Sequence, residues 1–320
     1  MTSRPKADGP RDHGGNLDAA IARFGGARED WLDLSTGINP VPYPLPDFPA
    51  GSWTALPDHT AQDALLKAAR RFWSLPSEAA ILAVPGASAA IAHLPLLAPS
   101  GTVHIPAPTY NEHAASFARC GWQISAQDRP DATARVLVHP NNPTGAFHDL
   151  PGAGPLTVID ESFCDIAPDR SLVDHATHPN TLILKSFGKF WGLAGLRLGF
   201  VIAAPDMIAR LADMLGPWPV SGPALEVGRR ALSDPDWAEA TRARLTRDAA
   251  RMDAILAAAG ATIHGGTPLF RLYDCDDPEA LQTHLASHWI WSRTFPYSGR
   301  WIRLGLPPEP GFARLEQAMA

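Results

Sequence analysis

The sequence predicts an α/β protein: a large domain built on a mostly parallel sheet covered by helices, and a smaller α/β domain at the C-terminal end. Two observations carry this. From Ile81 onward, short runs that are apolar throughout (RVLVH, LTVID, TLILK) alternate with stretches of helical spacing such as NEHAASFARCG. A strand apolar at every position belongs to a sheet covered on both faces. Second, an amphipathic helix expected from Pro235 to Ala259 separates this alternation from a shorter set: ATIHG, PLFRLYD, HWIWSRTF and RWIRLGL around the helical PEALQTHLASH.

Taken in order, residues 1–12 are polar, rich in Pro and Gly, and read as a loose tail. Leu17 to Phe24 has helical apolar spacing and stops at Gly25-Gly26. DLSTGINPVPYP is extended and turn-rich, and Ala61 to Trp73 is helical. The alternation then runs AILAV, SAAIAHLPLLA, TVHIP, NEHAASFARCG, RVLVH, LTVID and TLILK. The expected division is 1–39 as a tail and segment packing with the small domain, 40–235 as the large domain, and 236–320 as the small one.

At 320 residues, 45% hydrophobic and 19% charged, the chain can bury a substantial core. A net charge of -6 without a Lys/Arg cluster argues against nucleic acid, while leaving room for a small anionic substrate held by a few arginines. Cys120, Cys164 and Cys275 stand far apart with no CxxC or Cys/His ligand spacing, which predicts neither a disulfide framework nor a metal site and fits a reducing cytoplasm. MTSRPKADGPRDHGG lacks an apolar signal core, and no window approaches the ~20 apolar residues of a membrane span, so a soluble protein is expected.

Three strands end in unusual polar sequence: RVLVH in PNNPTG, LTVID in ESF, and TLILK in SFGK. Ligands of open α/β sheets collect at the carboxyl ends of strands, so these tips converge on one crevice. In SFGKFWGLAGLRLGF, Lys189 is either an ammonium that snorkels to water or a desolvated amine, which is a nucleophile for carbonyls such as the aldehyde of pyridoxal phosphate. Asp160 either caps a turn or faces the pyridine nitrogen and keeps it protonated. Asn142 either shapes a turn or donates to the phenolic oxygen. Ala87 and Ser88 open a helix after Gly86, an ordinary turn or a phosphate seat that Ser186 and Arg197 complete. Tyr110 is placed to stack on a ring.

PNNPTG, VIDES and SFGKFWGLAGLRLGF, in that order, resemble the fold-type-I pyridoxal-phosphate-dependent transferases over nearly the whole chain. Within them the sequence is most similar to the threonine-phosphate decarboxylases of cobalamin biosynthesis, relatives of histidinol-phosphate aminotransferase. HGGN at His13 to Asn16, DLSTGINP, DESF in place of DEAY, and GPWPVSGPAL carry that likeness. The resemblance implies pyridoxal phosphate as cofactor, with Lys189 as its Schiff-base lysine, Asp160 at the pyridine nitrogen and Asn142 at O3′. It further implies Ala87, Ser88, Ser186 and Arg197 at the phosphate, and Tyr110 on the ring. Two positions depart from the wider pattern: Phe163 stands where many relatives have a tyrosine donating to O3′, and Leu56 where a tyrosine reaches the neighbouring subunit's cofactor phosphate. A homodimer is implied.

By the same resemblance Arg303 takes the substrate carboxylate and Arg293 helps hold its phosphate, with His13, Asn16 and Asn39 lining the pocket; without it, both arginines read as surface strand charge. The implied reaction is decarboxylation of L-threonine O-3-phosphate to (R)-1-amino-2-propanol O-2-phosphate. Two other readings stay open, a histidinol-phosphate aminotransferase using the same site and a non-catalytic binding or scaffolding protein on this fold. Intact Lys189, Asp160 and Arg197 argue against the latter.

Overall fold

The computed structural model describes residues 13–149 and 156–320; the tail expected over 1–12 lies outside them. Helix α1 (Leu17–Phe24) and the two-residue strand β1 (Leu32–Asp33) come first, then a single turn, α2 (Gly51–Thr54), and α3 (His59–Phe72), which starts where the Asp58 carboxylate accepts from the Ala61 N–H. The large sheet is laid down by β2 (Ala80–Val84), β3 (Thr102–His104), β4 (Gln123–Ser125), β5 (Ala134–Val138), β6 (Leu156–Asp160), β7 (Thr181–Ser186) and β8 (Gly199–Ala203). Between them lie α4 (Ala87–His93) and α5 (Asn111–Arg119); α6 (Pro205–Leu215), α7 (Gly222–Ala231) and α8 (Pro235–Ala258) follow. The chain ends with β9 (Thr262–Thr267), β10 (Phe270–Asp274), α9 (Pro278–Ser287), β11 (Ile290–Trp291), β12 (Arg293–Phe295), β13 (Ser298–Gly305) and α10 (Glu309–Met319).

The large sheet has the order β2-β8-β7-β6-β5-β3-β4, and its neighbours from β7 to β4 run parallel. Strand β8 is the exception, antiparallel to both β2 and β7. Its sequence, GFVIA, is as apolar as its neighbours, so composition does not reveal its direction. The cause is the link from β7: a parallel crossover usually carries an α-helix across the sheet face, whereas residues 187–198 are spent on the Lys189 loop, with a single 3₁₀ turn, and the chain turns straight back. Ser186 therefore pairs with Gly199, and both ends of that loop are pinned side by side.

Alternate side chains of the central strands feed two layers. Ile159, Ile183 and Ile202 pack with Leu65 of α3 and Leu225 of α7, while Val158, Leu182 and Val201 pack with Ile91 of α4, Phe117 of α5 and Leu211 of α6. Full burial of each such side chain is worth roughly 1.5–3 kcal/mol, so the strand ends between the layers are held rigidly. A second, four-stranded sheet is antiparallel, in the order β12-β13-β10-β9. The N-terminal segment joins it: β1 pairs in parallel with β11, and the Leu34 carbonyl accepts from the Gly305 N–H at 2.7 Å. Among the described residues no helix is long and apolar enough to cross a membrane, and all three cysteines are free.

Candidate active site

Strand alternation and the loop after β7 bring the eight residues expected around a cofactor into one cavity of about 110 Å³: Ala87, Ser88, Tyr110, Asn142, Asp160, Ser186, Lys189 and Arg197 all line it. Asp160 ends β6, is buried, and is held from two sides. His113 Nε2 donates to its Oδ2 at 2.8 Å, and its Oδ1 accepts from the Ser162 N–H at 3.0 Å and hydroxyl at 2.5 Å. Burial pushes this carboxyl up, but the bonds from His113 and Ser162 and the charge of the imidazole outweigh it and hold the group below the usual carboxylate range. A permanent anion at this depth is an electrostatic device, because an unpaired buried charge would neutralise instead.

Lys189 shows the opposite balance. Burial, then the nearby Arg303, with Arg197 and Arg293 adding to them against Asp160, pushes its ammonium down to about 8. Its Nζ lies 5.3 Å from the Phe163 ring, which offers no hydrogen-bonding oxygen. Lys185, only four residues earlier, is fully buried on the other side of β7 and bonds Glu161 at 2.5 Å with Asp165 at 3.7 Å. Burial alone would lower it; the two carboxylates outweigh that and hold it above the ordinary lysine value, as a structural cation. Of two lysines in one segment, burial and its neighbours lower only Lys189.

The anion seat is equally specific. Gly86, with φ +82°, precedes α4, and a Cβ there would sit 2.6 Å from Arg197 Nη2, so only glycine lets the guanidinium lie against the start of the helix. Arg197 Nη1 donates to the Ala194 carbonyl at 2.9 Å, which aims the rest of the fork at the cavity shared with Ser88 and Ser186. Asn142 Oδ1 accepts from Arg303 Nη1 at 2.5 Å; with its oxygen committed, the amide has its N–H pair to donate into the cavity. Its neighbour Asn141 is the turn-former, bonding Thr109, the Pro108 carbonyl and Thr144.

A second cavity of about 130 Å³ shares Tyr110, Asn142, Phe163 and Lys189 with the first and adds His13, Arg293 and Arg303. Arg293 and Arg303 are directly opposed partners on β12 and β13, and Arg303 is buried, with Nη2 donating to the Ser35 carbonyl at 2.6 Å. Like charges in directly opposed positions destabilise a sheet. Both line this cavity, where their charges meet.

Two expected pocket residues sit elsewhere. Asn16 is exposed and caps α1, its side chain accepting from the Ala19 N–H at 3.3 Å. Asn39 is buried behind the lysine loop: its N–H donates to the Lys189 carbonyl at 3.0 Å, its Nδ2 donates to the Phe190 carbonyl at 2.8 Å, and its Oδ1 accepts from Arg244. It holds the loop in place and does not line either cavity. Conversely, sequence reasoning missed His113 and Ser162. The signal for His113 was present, since it shares helical spacing with the buried Ser116 and Phe117. The topology also gathers His139, Glu161 and Cys164. These donors are spent internally: His139 bonds the His148 N–H and the Arg170 carbonyl, Glu161 bonds Lys185, and burial pushes the Cys164 thiol up.

A low-lying amine, a buried anion and an anion seat at the foot of one cavity fit pyridoxal phosphate in its three chemical parts: aldehyde, pyridine nitrogen and phosphate. Comparison with known proteins agrees. The family described as aminotransferase class I and II matches residues 30–134 and 131–318. The threonine-phosphate decarboxylase of Sinorhizobium sp is 42% identical, covering 97% of this chain and 98% of that protein; the one of Pseudomonas aeruginosa is 36% identical over 96% and 97%. The crystal structure of histidinol-phosphate aminotransferase from Sinorhizobium meliloti in complex with pyridoxal-5'-phosphate superposes with a TM-score of 0.72 at 21% identity, covering 84% of this chain and 83% of that one. From cavity chemistry, fold and sequence together, the chain belongs to the class I and II aminotransferase family.

Proposed function

We propose that this protein is a pyridoxal-phosphate-dependent decarboxylase that converts L-threonine O-3-phosphate to (R)-1-amino-2-propanol O-2-phosphate, a step of cobalamin biosynthesis. The observation that carries it is the opposed pair Arg293 and Arg303 beside Lys189, a grip for a substrate with two anionic ends. The two relatives named threonine-phosphate decarboxylase, alike over nearly their whole length, support the same reading.

When bound, the cofactor supplies an aldehyde for the substrate amine and a ring that accepts the electron pair left by CO2. The chain's own residues do the rest. Asp160 would supply a negative charge to the ring nitrogen; Ser88, Ser186 and Arg197 would hold the cofactor phosphate, Asn142 would donate to the ring oxygen and Tyr110 would pack on the ring. Arg303 orients the substrate carboxylate as a fork, and Arg293 with His13 takes the substrate phosphate. Lys189, with its amine easily deprotonated, carries a proton to Cα. Phe163 walls that transfer off from water with an apolar face.

The purified protein supplied with L-threonine O-3-phosphate alone should release CO2 with no oxo acid present. Arg303→Ala should lower kcat/KM by roughly thirtyfold or more, since truncating one partner of a buried charged contact costs about 2–5 kcal/mol. A protein that turns over histidinol phosphate only with 2-oxoglutarate, and leaves the decarboxylation substrate untouched, is an aminotransferase.

We take 40–235 as the large unit and 236–320 as the small one, a division supported by the seven-stranded sheet lying wholly in the first and the four-stranded sheet wholly in the second, with β1 of the segment before residue 40 paired to β11. A cytoplasmic homodimer accompanies the proposal. Trp53 is 69% exposed and Trp218 also lies open, as does Leu56, which lines a groove of about 560 Å³ between residues 47–64 and α7. Such apolar surface marks an association face. Sedimentation should give twice the chain mass, and Trp53→Glu should halve it; a wild-type monomer would rule the dimer out.

A further inference from the structure

We propose that Glu112 is a positioning residue for substrate: it holds His13 at the mouth of the second cavity as the donor that meets the phosphate of a phosphorylated amino acid. This rests on the decarboxylase reading above. His13 Nε2 lies 2.8 Å from Glu112 Oε1, and the glutamate is only 19% exposed, unlike the incidental ion pairs of a solvated surface. The pair crosses the site, because His13 leads the segment bound to the small domain and Glu112 belongs to α5 of the large one.

The run between is shaped for the purpose. The Gly15 N–H donates to Ser35 Oγ at 2.7 Å, and Ser35 is in turn fixed by Asp33 at 2.6 Å. At Gly14 a Cβ would come within 2.3 Å of the Ser35 carbonyl and 3.3 Å of Arg303 Nη2, so the chain lies flat on the arginine that takes the carboxylate. His13-Gly14-Gly15 is a strap anchored at Ser35 on one side and at Glu112 on the other.

The sign of the charge makes the case. Arg293, Arg303 and Lys189 line this cavity with positive charge, and the carboxylate against His13, itself in the lining, repels the anions they attract. If Glu112 acted only through its charge, removing it would tighten anion binding. If it acts through His13, removing it frees the imidazole to swing away, and the cost of ordering it falls on binding. The two roles predict opposite results.

The test compares wild type, Glu112→Ala, Glu112→Asp, His13→Gln and the double variant His13→Gln/Glu112→Ala, all as holoenzyme. It reads KM and kcat for L-threonine O-3-phosphate and, independently of turnover, the Kd of inorganic phosphate from tryptophan fluorescence. The expected result is a rise of about tenfold in KM and Kd for Glu112→Ala, the worth of one partly buried close contact between ionisable groups, with the loss in KM and not kcat. Glu112→Asp recovers part of it. In the His13→Gln background the Glu112→Ala change no longer weakens binding, because the two act as one unit. Unchanged or tighter phosphate binding in Glu112→Ala, or equal weakening with and without His13, overturns the proposal. A wild-type enzyme that does not prefer L-threonine O-3-phosphate to L-threonine overturns the decarboxylase reading itself, and is read before any variant.

Discussion

Lys189→Ala should yield a folded protein whose decarboxylation rate is down by about 10⁴-fold or more, the combined weight of a lost covalent anchor and a lost proton carrier. The fold should survive, because Asn39 bonds the backbone of the loop and not the lysine side chain. The same residue has a pH signature. Only the neutral amine attacks an aldehyde, and burial with Arg303 lowers the ammonium to about 8. In protein stripped of cofactor, trapping of added pyridoxal phosphate by cyanoborohydride should rise with pH through about 8 and then level, whereas an ordinary lysine climbs toward ~10.4. Mass spectrometry of the labelled peptide checks both. Label on Lys67 or Lys185, or a yield still climbing steeply at high pH, would remove Lys189 from the role.

Asp160→Asn is the second large effect. The amide keeps the shape and an acceptor for Ser162 but deletes the charge, and turnover should fall about a thousandfold, as when a preorganised electrostatic partner is lost. Stability should fall too, by ~1–3 kcal/mol, since the bond from His113 is no longer charge-assisted in a buried site. Thermal unfolding alongside kcat separates the two. A folded Asp160→Asn protein with near-normal turnover would show that the carboxylate is structural.

Much of this was readable in the chain. Polar tips on apolar strands located the crevice, since a buried strand can end in Asn, Asp or Lys only where something compensates them. Position along the strand also separated Lys189 from Lys185: the first lies beyond the strand in the loop, the second inside it. Strand direction was not readable, because β8 and β7 are both buried, largely apolar strands, and apolar content does not record how the chain re-enters the sheet. Nor were the partners of a charge. Nothing in NEHAASF says that His113 meets Asp160 47 positions later, or that Glu112 meets His13. Asn39 failed for a subtler reason: its proximity to the lysine is real, but it approaches through the backbone, on the side away from the cavity.

The contact between Ser35 and Arg303 spans 268 positions. Every part of the cofactor's seat lies between residues 86 and 197, so a growing chain completes that seat with the large sheet. The wall that chooses the substrate waits for β13, and β13 is locked in place by the N-terminal segment made at the outset. Cofactor capture and substrate choice are thus assembled at different times in the life of each molecule. A deletion that reaches residue 35 from the front and one that reaches residue 303 from the back dismantle the same wall, and the second also takes away the arginine that commits the Asn142 oxygen in the first cavity.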